Sequence, residues 1–392
     1  MDQGAWPRTS KQPQPAPGEC SDPRHACSAL AVSPASPFRD PPPSSQARQP
    51  ASPPTAATSA MSSPINILPF GAIVNEFTVG GRNLVLGFPN ASHYVQHAGP
   101  HFGETVGRVA NRVSDAKVEL NGKVYELLAN DGKNSLHGGH SWGAREFTGP
   151  TAVKDRDGND AVRYSLISED GDAGFPGRIE FSVTYTTTVS KTENGKELVQ
   201  LAAEYEAQLT GPDDVKETAI NITNHSYFNL SDRETIDGTE VTLASDRYLV
   251  PDEGNIPTGA IENFPGVKAG EKFTLGVAEP NIDHCFLMTE DSKSIPLDTR
   301  ARPLQLLATA FHPDSNVHLE VLSTEPAFQF YTGFWNDVPA VAGQPARGSR
   351  SGFAVEPCRY VNAINRPEWR SQMLLPKGET FGSRIVWRAW TA

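Results

Sequence analysis

Two polar residues interrupt apolar, strand-like segments of the sequence. His225 lies in "INITNHSYFNL" (220–230), after alternating Ile220 and Ile222. A core histidine, a metal ligand and a proton donor all fit that position. Glu356 follows an apolar run in "GFAVEPC" (352–358). A carboxylate placed there is expected to lose solvent, which raises its pKa and suits it to act as a base.

Four more polar residues occur where side chains commonly face a pocket. Asn111 and Arg112 end the segment "GETVGRVANR", and Arg112 on a half-buried strand needs either a carboxylate or a hydroxyl-rich ligand as partner. Asp283 precedes the apolar run of "DHCFLM", and Gln329 lies between aromatic residues in "FQFYTG". Taken singly, such residues are more often structural than functional.

Two histidine clusters could in principle bind a metal. "SHYVQHAGPH" spaces His93, His97 and His101 by four, but Gly99-Pro100 would end a helix before His101, which disfavours a shared metal. His137 lies in "NSLHGGHSWG", where glycines let the backbone approach a ligand closely. We therefore predict no metal site, and His137 either binds a polar substrate or has a structural role.

Composition excludes several classes of partner. The 392 residues carry a formal net charge of -12, which argues against nucleic acid and anionic membranes as partners. No apolar run approaches the length of a membrane-spanning helix. Neither GxxxxGK nor GxGxxG occurs, so a nucleotide cofactor is not expected. The four cysteines match no zinc or disulfide pattern, which favours free thiols in a reducing, cytoplasmic compartment.

Residues 1–63 are rich in proline, serine and alanine. Such a segment has too little apolar surface to offset the entropy of ordering it, so we expect a disordered tail. No apolar run near the start has the length of a signal peptide. The tail is therefore not expected to contribute to function.

Residues 64–392 show the turn chemistry of an antiparallel β domain. Asn121-Gly122, Asn194-Gly195 and Gly80-Gly81 each separate two alternating runs, a strong hairpin signal. Further alternating runs occur at 161–167, 241–250 and 317–322, whereas "RPLQLLATAF" (302–311) is a weak helix candidate. Without an internal linker, these runs predict one large all-β domain, a sandwich or a barrel.

Six segments, taken together and in order, resemble the aldose 1-epimerase (galactose mutarotase) family. They are "GRVANR", "NSLHGG", "NHSYFNL", "DHCF", "QFYTG" and "VEP", and the resemblance covers about residues 66–390. It implies a single-domain antiparallel β-sandwich of the galactose mutarotase-like supersandwich type, without a cofactor. It also implies His225 as general acid, Glu356 as general base, and a set of residues that hold the sugar hydroxyls: Asn111, Arg112, His137, Tyr227, Asp283 and Gln329.

The sequence departs from the family pattern at two places. "CRYVNAIN" follows Glu356-Pro357, where the family often shows Gln and then Pro-Asp-Ala. Glu104 stands where a small residue is usual. Both departures leave the preferred sugar open.

The implied activity interconverts the α and β anomers of a free hexose such as galactose or glucose, in a monomer or weak homodimer. His225 must then be protonated while Glu356 is ionised, and we expect the charge of Asp283 to keep the pKa of His225 high. Tyr227 and Phe228 are expected to exclude water and pack the apolar face of the sugar.

Three alternatives are weighed against this function. A hexose 6-phosphate epimerase would need an arginine cluster, and the candidates are Arg108, Arg112, Arg359, Arg366 and Arg370. A catalytically silent sugar-binding module would need neither His225 nor Glu356 in a proton-transfer state. A glycosidase would use two carboxylates rather than a histidine and a glutamate.

Overall fold

The computed structural model describes residues 63–140 and 142–392. In chain order its strands are β1 Ile65–Leu68, β2 Ile73–Val79, β3 Arg82–Asn83, β4 Thr105–Val106, β5 Arg112–Val113, β6 Lys117–Leu120, β7 Lys123–Glu126, β8 Ser135–Leu136, β9 Thr148–Lys154, β10 Asp160–Ser168, β11 Arg178–Lys191, β12 Glu197–Thr210, β13 Glu217–Ala219, β14 Thr223–Asn224, β15 Tyr227–Phe228, β16 Glu240–Leu243, β17 Arg247–Pro251, β18 Pro257–Asn263, β19 Lys272–Thr274, β20 Asp283–Leu287, β21 Gln305–His312, β22 Val317–Ser323, β23 Ala327–Tyr331, β24 Phe353–Cys358, β25 Leu374–Pro376 and β26 Thr380–Thr391.

Helix is scarce in the described residues. The one α-helix there, α1, spans Ala91–Gln96. Short 3-10 turns occupy Ser114–Ala116, His137–His140, Asp172–Gly174, Ser292–Ser294, Ala363–Asn365 and Arg370–Gln372. None of these helices is long and apolar enough to cross a membrane.

Two large antiparallel sheets dominate the fold. The first has nine strands in the order β19-β16-β21-β22-β26-β12-β11-β10-β9, and the second has six in the order β15-β24-β23-β20-β17-β18. Smaller sheets join β1-β2-β3, β13-β25, β14-β4, β5-β8 and β6-β7. The predicted antiparallel β-sandwich is confirmed.

Alternating side chains create the core between the two large sheets. In β12, alternate residues from Val199 to Leu209 are buried, and the intervening residues are mostly half-buried and polar. Phe330 of β23 belongs to the same apolar cluster and meets the ring of Phe273 from β19 edge-on, with centroids 6.4 Å apart. The inner faces of both sheets therefore supply one core, as in other sandwiches.

The predicted hairpins are present. Asn121-Gly122 joins β6 to β7, Asn194-Gly195 joins β11 to β12, and Gly80-Gly81 joins β2 to β3. Gly80, Gly81, Asn121, Gly122 and Gly195 have positive φ, the backbone region that such turns require.

Two local predictions were wrong. "RPLQLLATAF" contains β21, not a helix, because pairing with β16 on one side and β22 on the other overrides the helical preference of its Leu and Ala residues. The run 241–250 contains two strands, since the chain leaves the nine-stranded sheet after Leu243 and enters the six-stranded sheet at Arg247.

Residues 63–392 fall in one compact unit. The predicted disordered tail lies outside the described residues, apart from Ser63 at its end. Its disorder and the boundary after residue 63 stay predictions.

Candidate active site

The segment that carries His225 is held in place by the backbone of residues 103–106. Asn224 pairs with Thr105 in the β14–β4 ladder. His225 then donates its backbone N–H to the carbonyl of Glu104 (2.9 Å) and accepts the N–H of Gly103 (3.0 Å). These bonds fix the backbone from which the buried imidazole projects.

One face of the six-stranded sheet carries the other polar residues. Asp283 lies opposite Tyr331 in the β20–β23 register, and Gln329 lies opposite Glu356 in the β23–β24 register. Paired residues of antiparallel strands, and residues two apart on one strand, point to the same face. Asp283, Tyr331, Gln329 and Glu356 therefore share a face, while Phe330, next to Gln329, enters the core.

Tyr227 joins this face from the edge strand β15. It pairs with Ala354, which also pairs with Tyr331. Its ring stacks on that of His225, with centroids 4.9 Å apart and planes 21° apart. Phe228 points the other way, into the core against Phe353. The expectation that Phe228 packs against the sugar is wrong, because adjacent residues of a strand face opposite sides.

His225 and Glu356 face each other across the site. Nε2 of His225 lies 3.5 Å from Oε1 of Glu356, and both side chains are 5% exposed. This separation is longer than a strong hydrogen bond. Each group can therefore reach a different atom of a small ligand bound beside the pair.

From the sequence, a protonated His225 and an ionised Glu356 are expected. Burial shifts the two pKa values in the opposite direction. Desolvation, with a smaller effect from the nearby His101, lowers the pKa of His225 to about 3. Desolvation, followed by the charge of Asp283, raises the pKa of Glu356 well above its ordinary value. The expectation that Asp283 keeps the pKa of His225 high is wrong, since burial lowers that pKa and the Asp283 carboxylate instead raises the pKa of Glu356, Tyr227 and Tyr331. Burial therefore favours the neutral form of each group, which places a proton on Glu356 rather than on His225.

His137 and Asn111 hold each other at the edge of the site. The backbone N–H of Asn111 donates to Nδ1 of His137 (3.3 Å), and the N–H of His137 donates to the carbonyl of Asn111 (3.1 Å). A Cβ on Gly138 would lie 2.4 Å from the carbonyl oxygen of Gly107, so only glycine allows this approach. The His137 ring meets that of His225 edge-on, with centroids 5.2 Å apart.

Arg112 supplies a positive charge near the pair. Its Nε lies 2.8 Å from Oδ2 of Asp131, so the carboxylate partner considered from the sequence is present. The guanidinium is 14% exposed and its charge lowers the pKa of Glu356, against the larger effect of burial. A hydroxyl group of a ligand could share this arginine.

Gln329 and Asp283 are joined by a direct hydrogen bond. Nε2 of Gln329 donates to Oδ1 of Asp283 at 2.6 Å. This bond fixes the amide orientation and leaves Oε1 of Gln329 buried without a protein partner among the described residues. A buried acceptor of this kind is suited to a ligand hydroxyl.

All eight residues predicted for the site are brought together in this way. The sequence missed three more residues at the same place: Tyr331, which shares the face of Asp283 and Gln329, and the pair His101 and Glu104. His101 stacks on His225, with centroids 5.8 Å apart and planes 27° apart, and its Nδ1 lies 2.8 Å from Oε2 of Glu104. Glu104 departs from the family pattern, which could have drawn attention to this place. Nothing in the sequence, however, connected Glu104 to the histidines.

Four of the five arginines considered for a phosphate form hydrogen bonds or ion pairs with other parts of the protein. Arg108 donates to the carbonyls of residues 168–169 and 175–177, and Arg359 pairs with Glu325. Arg366 donates to the backbone carbonyl of Pro257, and Arg370 donates to that of Ile364. Arg112 is therefore the one member of that set which lies beside the catalytic pair.

His137, His225 and Glu356 place one donor atom each within 4.8 Å of one another. One divalent ion could touch all three, but the same groups serve equally well to bind hydroxyls and move protons. We assign no ion to them.

Comparison with known proteins shows which family the chain is part of. The family model described as Aldose 1-epimerase matches residues 59–388. The chain belongs to the aldose 1-epimerase family.

Relatives of the chain include proteins of similar length and longer bifunctional proteins. The galactose mutarotase of Sus scrofa is 32% identical over 331 residues, covering 80% of this chain and 88% of that protein. The bifunctional protein gal10 of Schizosaccharomyces pombe is 37% identical over 327 residues, covering 82% of this chain. The chain spans only 43% of that bifunctional protein.

Solved structures of family members share the fold. The GalM/aldose epimerase homologue of C. elegans aligns with a TM-score of 0.68 at 23% identity, covering 84% of this chain and 96% of that chain. The galactose 1-epimerase of Lactobacillus acidophilus aligns with a TM-score of 0.64 at 21% identity, covering 84% and 91%. At these identities the likeness concerns the fold alone.

Proposed function

We propose that this chain is an aldose 1-epimerase that interconverts the α and β anomers of free hexoses such as galactose and glucose. The observation that carries the proposal is the pair His225–Glu356, buried together and 3.5 Å apart. Membership of the family and the polar residues around the pair support it.

The reaction requires two proton transfers, at the two oxygens bonded to the anomeric carbon. To open the ring, the ring oxygen must gain a proton and the C1 hydroxyl must lose one; the free aldehyde then turns about C1–C2 and closes on its other face. The two oxygens share the anomeric carbon, so the acid and the base must lie a few Å apart. His225 and Glu356 meet that requirement, and each positioned transfer typically contributes about 10²–10⁴ in rate.

Substrate binding moves the shared proton to His225. A hydroxyl that donates to Glu356 favours the carboxylate, and a ring oxygen that accepts from His225 favours the imidazolium. His225 then acts as the acid and Glu356 as the base during opening, and the roles reverse during closure. The total charge of the pair stays constant, which suits a site largely removed from water.

The remaining residues hold the sugar. Asn111, His137, Asp283 and Gln329 offer donors and acceptors for hydroxyls, and Arg112 stabilises the carboxylate form of Glu356. Tyr227 supplies an aromatic surface beside His225.

Polarimetry tests the proposal directly. Freshly dissolved α-D-galactose and α-D-glucose are followed with and without protein, in a buffer that catalyses poorly. Faster decay to the same final rotation, lost in Glu356→Gln, is the expected result. Decay no faster than in buffer for both sugars would overturn it.

A run with glucose 6-phosphate separates the rival functions. Turnover of the phosphosugar but not of free hexoses would favour a phosphohexose epimerase, although the engaged arginines speak against it. Binding without turnover would favour a silent sugar-binding module. We further propose a cytoplasmic protein that is a monomer or weak homodimer, which sedimentation and fractionation would check.

A further inference from the structure

A second histidine–carboxylate pair lies behind the proposed catalytic pair. Nδ1 of His101 is 2.8 Å from Oε2 of Glu104, and the two side chains are only 6% and 4% exposed. Nothing in the proposed reaction uses either group. Burying a histidine and a carboxylate together costs free energy unless their mutual attraction and further hydrogen bonds offset it.

The chain is built to accommodate this pair. A Cβ on residue 143 would lie 2.0 Å from Oε2 of Glu104, so Gly143 leaves the space that the carboxylate fills. His101 itself has a positive φ of 58°, a backbone conformation that non-glycine residues rarely adopt. The space beside Gly143 and the unusual backbone conformation of His101 therefore both accommodate the pair.

His101 contacts both histidines of the site. Its ring centroid lies 4.9 Å from that of His137 and 5.8 Å from that of His225, nearly parallel to the latter. The backbone of Glu104 and its neighbour Gly103 carries the two hydrogen bonds that hold the His225 backbone. The pair therefore touches His225 through its ring and through its main chain.

We propose that His101 and Glu104 are a positioning pair which orients the His225 ring and sets the pH at which that ring takes up a second proton. The proposal rests on the proposed function and deepens it. The Glu104 carboxylate lies at hydrogen-bond distance from Nδ1 of His101, and a positive charge on the His101 ring opposes one on the neighbouring His225. This agrees with His101 being the second cause of the lowered pKa of His225.

Other titratable groups also face this cluster. Tyr94 of α1 lies near Glu104, whose charge contributes to raising the pKa of that phenol. Tyr227 faces it from β15, and Glu356 from β24 lies beyond His225. Arg112 carries a positive charge that acts on Glu356, whereas the charge that opposes protonation of His225 is that of His101.

The test compares His101→Gln with the wild type by ¹⁵N NMR titration of the imidazoles in sugar-free protein and by the pH profile of kcat/KM on galactose. Removing a charge at this distance is expected to move the His225 titration, and the acidic limb of the profile, to higher pH by about one unit.

A matched control is His318→Gln. In the wild type the His318 ring stacks on Trp390, on the outer face of the nine-stranded sheet. It is expected to leave the His225 titration and the pH profile unchanged. If His101→Gln lowers only thermal stability, with the His225 titration where it is in the wild type, the pair is merely structural and the proposal is overturned. Wild-type protein inactive on galactose would instead refute the proposed function, and the NMR result would still decide this inference.

Discussion

The backbone N–H of Asn111 donates a hydrogen bond to Nδ1 of His137, with the two nitrogens 3.3 Å apart. An Nδ1 that accepts cannot carry the proton, so the neutral ring is protonated at Nε2. Asn111 thereby makes His137 a donor from its far nitrogen, suited to a sugar hydroxyl.

Substitution of His137 tests that tautomer. In His137→Gln the terminal amide can replace the distant N–H donor, whereas in His137→Asn it reaches only the position of Nδ1. We expect a rise in KM for galactose of up to about tenfold in the Asn variant, the equivalent of one hydrogen bond, and a smaller rise in the Gln variant. Initial rates over a range of sugar concentrations measure both. A larger loss in the Gln variant would contradict the assigned tautomer.

The pH profile tests where the shared proton lies. The active form carries one proton on the pair, and burial lowers the pKa of His225 to about 3 while raising that of Glu356. As the pH falls through the ordinary histidine value of about 6.5, kcat/KM should therefore stay flat, and it should decline only as the pH approaches about 3. On the alkaline side it should fall once Glu356 loses its proton. A drop centred near the ordinary histidine pKa would show that His225 is not desolvated as described.

Glu356→Gln is expected to lower turnover by about 10²–10⁴ and yet stabilise the fold at alkaline pH. The folded state raises the pKa of Glu356, so it keeps a proton that the unfolded chain releases above about pH 4.3. Stability is therefore lost as the pH rises from that value to the folded pKa, at about 1.4 kcal/mol for each unit crossed. The amide has no such loss.

Urea unfolding at pH 5 and pH 8 measures this effect. The difference between variant and wild type should favour the variant more at pH 8, while polarimetry shows a rate reduced by about 10²–10⁴. Equal pH dependence in both proteins would place the proton elsewhere.

Much of the framework was predictable from local patterns. Asn-Gly and Gly-Gly turns fixed three hairpins, and the ordered motifs identified eight of the residues that the structure brings together. The misplacement of Phe228 was avoidable, because its neighbour Tyr227 had already been assigned to the site and adjacent strand residues face opposite sides. The two-residue period of a β-strand was therefore enough to predict that Phe228 faces the core.

Other features depend on contacts that no local pattern encodes. The lowered pKa of His225 is set by its burial and by His101, which comes from a loop after α1. The strand β21 depends on two neighbours distant in the chain. Such long-range effects explain why a high pKa was expected for His225 and why a helix was favoured at 302–311.

Metal independence is a separate prediction. His137, His225 and Glu356 are close enough to touch one ion, but the proposed steps use only their protons and lone pairs. Dialysis against EDTA is expected to leave kcat on galactose unchanged, and added zinc should not increase it. Activity that is lost on dialysis and restored by a divalent metal would contradict the prediction.

The buried ion pair between Glu325 and Arg359 should stabilise the strand that carries Glu356. Nε of Arg359 lies 2.8 Å from Oε2 of Glu325, and both side chains are fully buried. Arg359 directly follows the last residue of β24, and its guanidinium also donates to the carbonyls of Pro296 and Leu297. Removing one partner leaves an uncompensated buried charge.

We expect Glu325→Ala to lower the free energy of unfolding by about 3–5 kcal/mol, measured by urea denaturation at pH 7. The exposed pair Lys154–Asp160 is the control, since Asp160→Ala should cost no more than about 1 kcal/mol. Because Glu325 lies outside the catalytic pair, the kcat of the folded fraction should change far less than in Glu356→Gln. A cost for Glu325→Ala as small as that of the control would show that Arg359 is compensated by the backbone carbonyls alone.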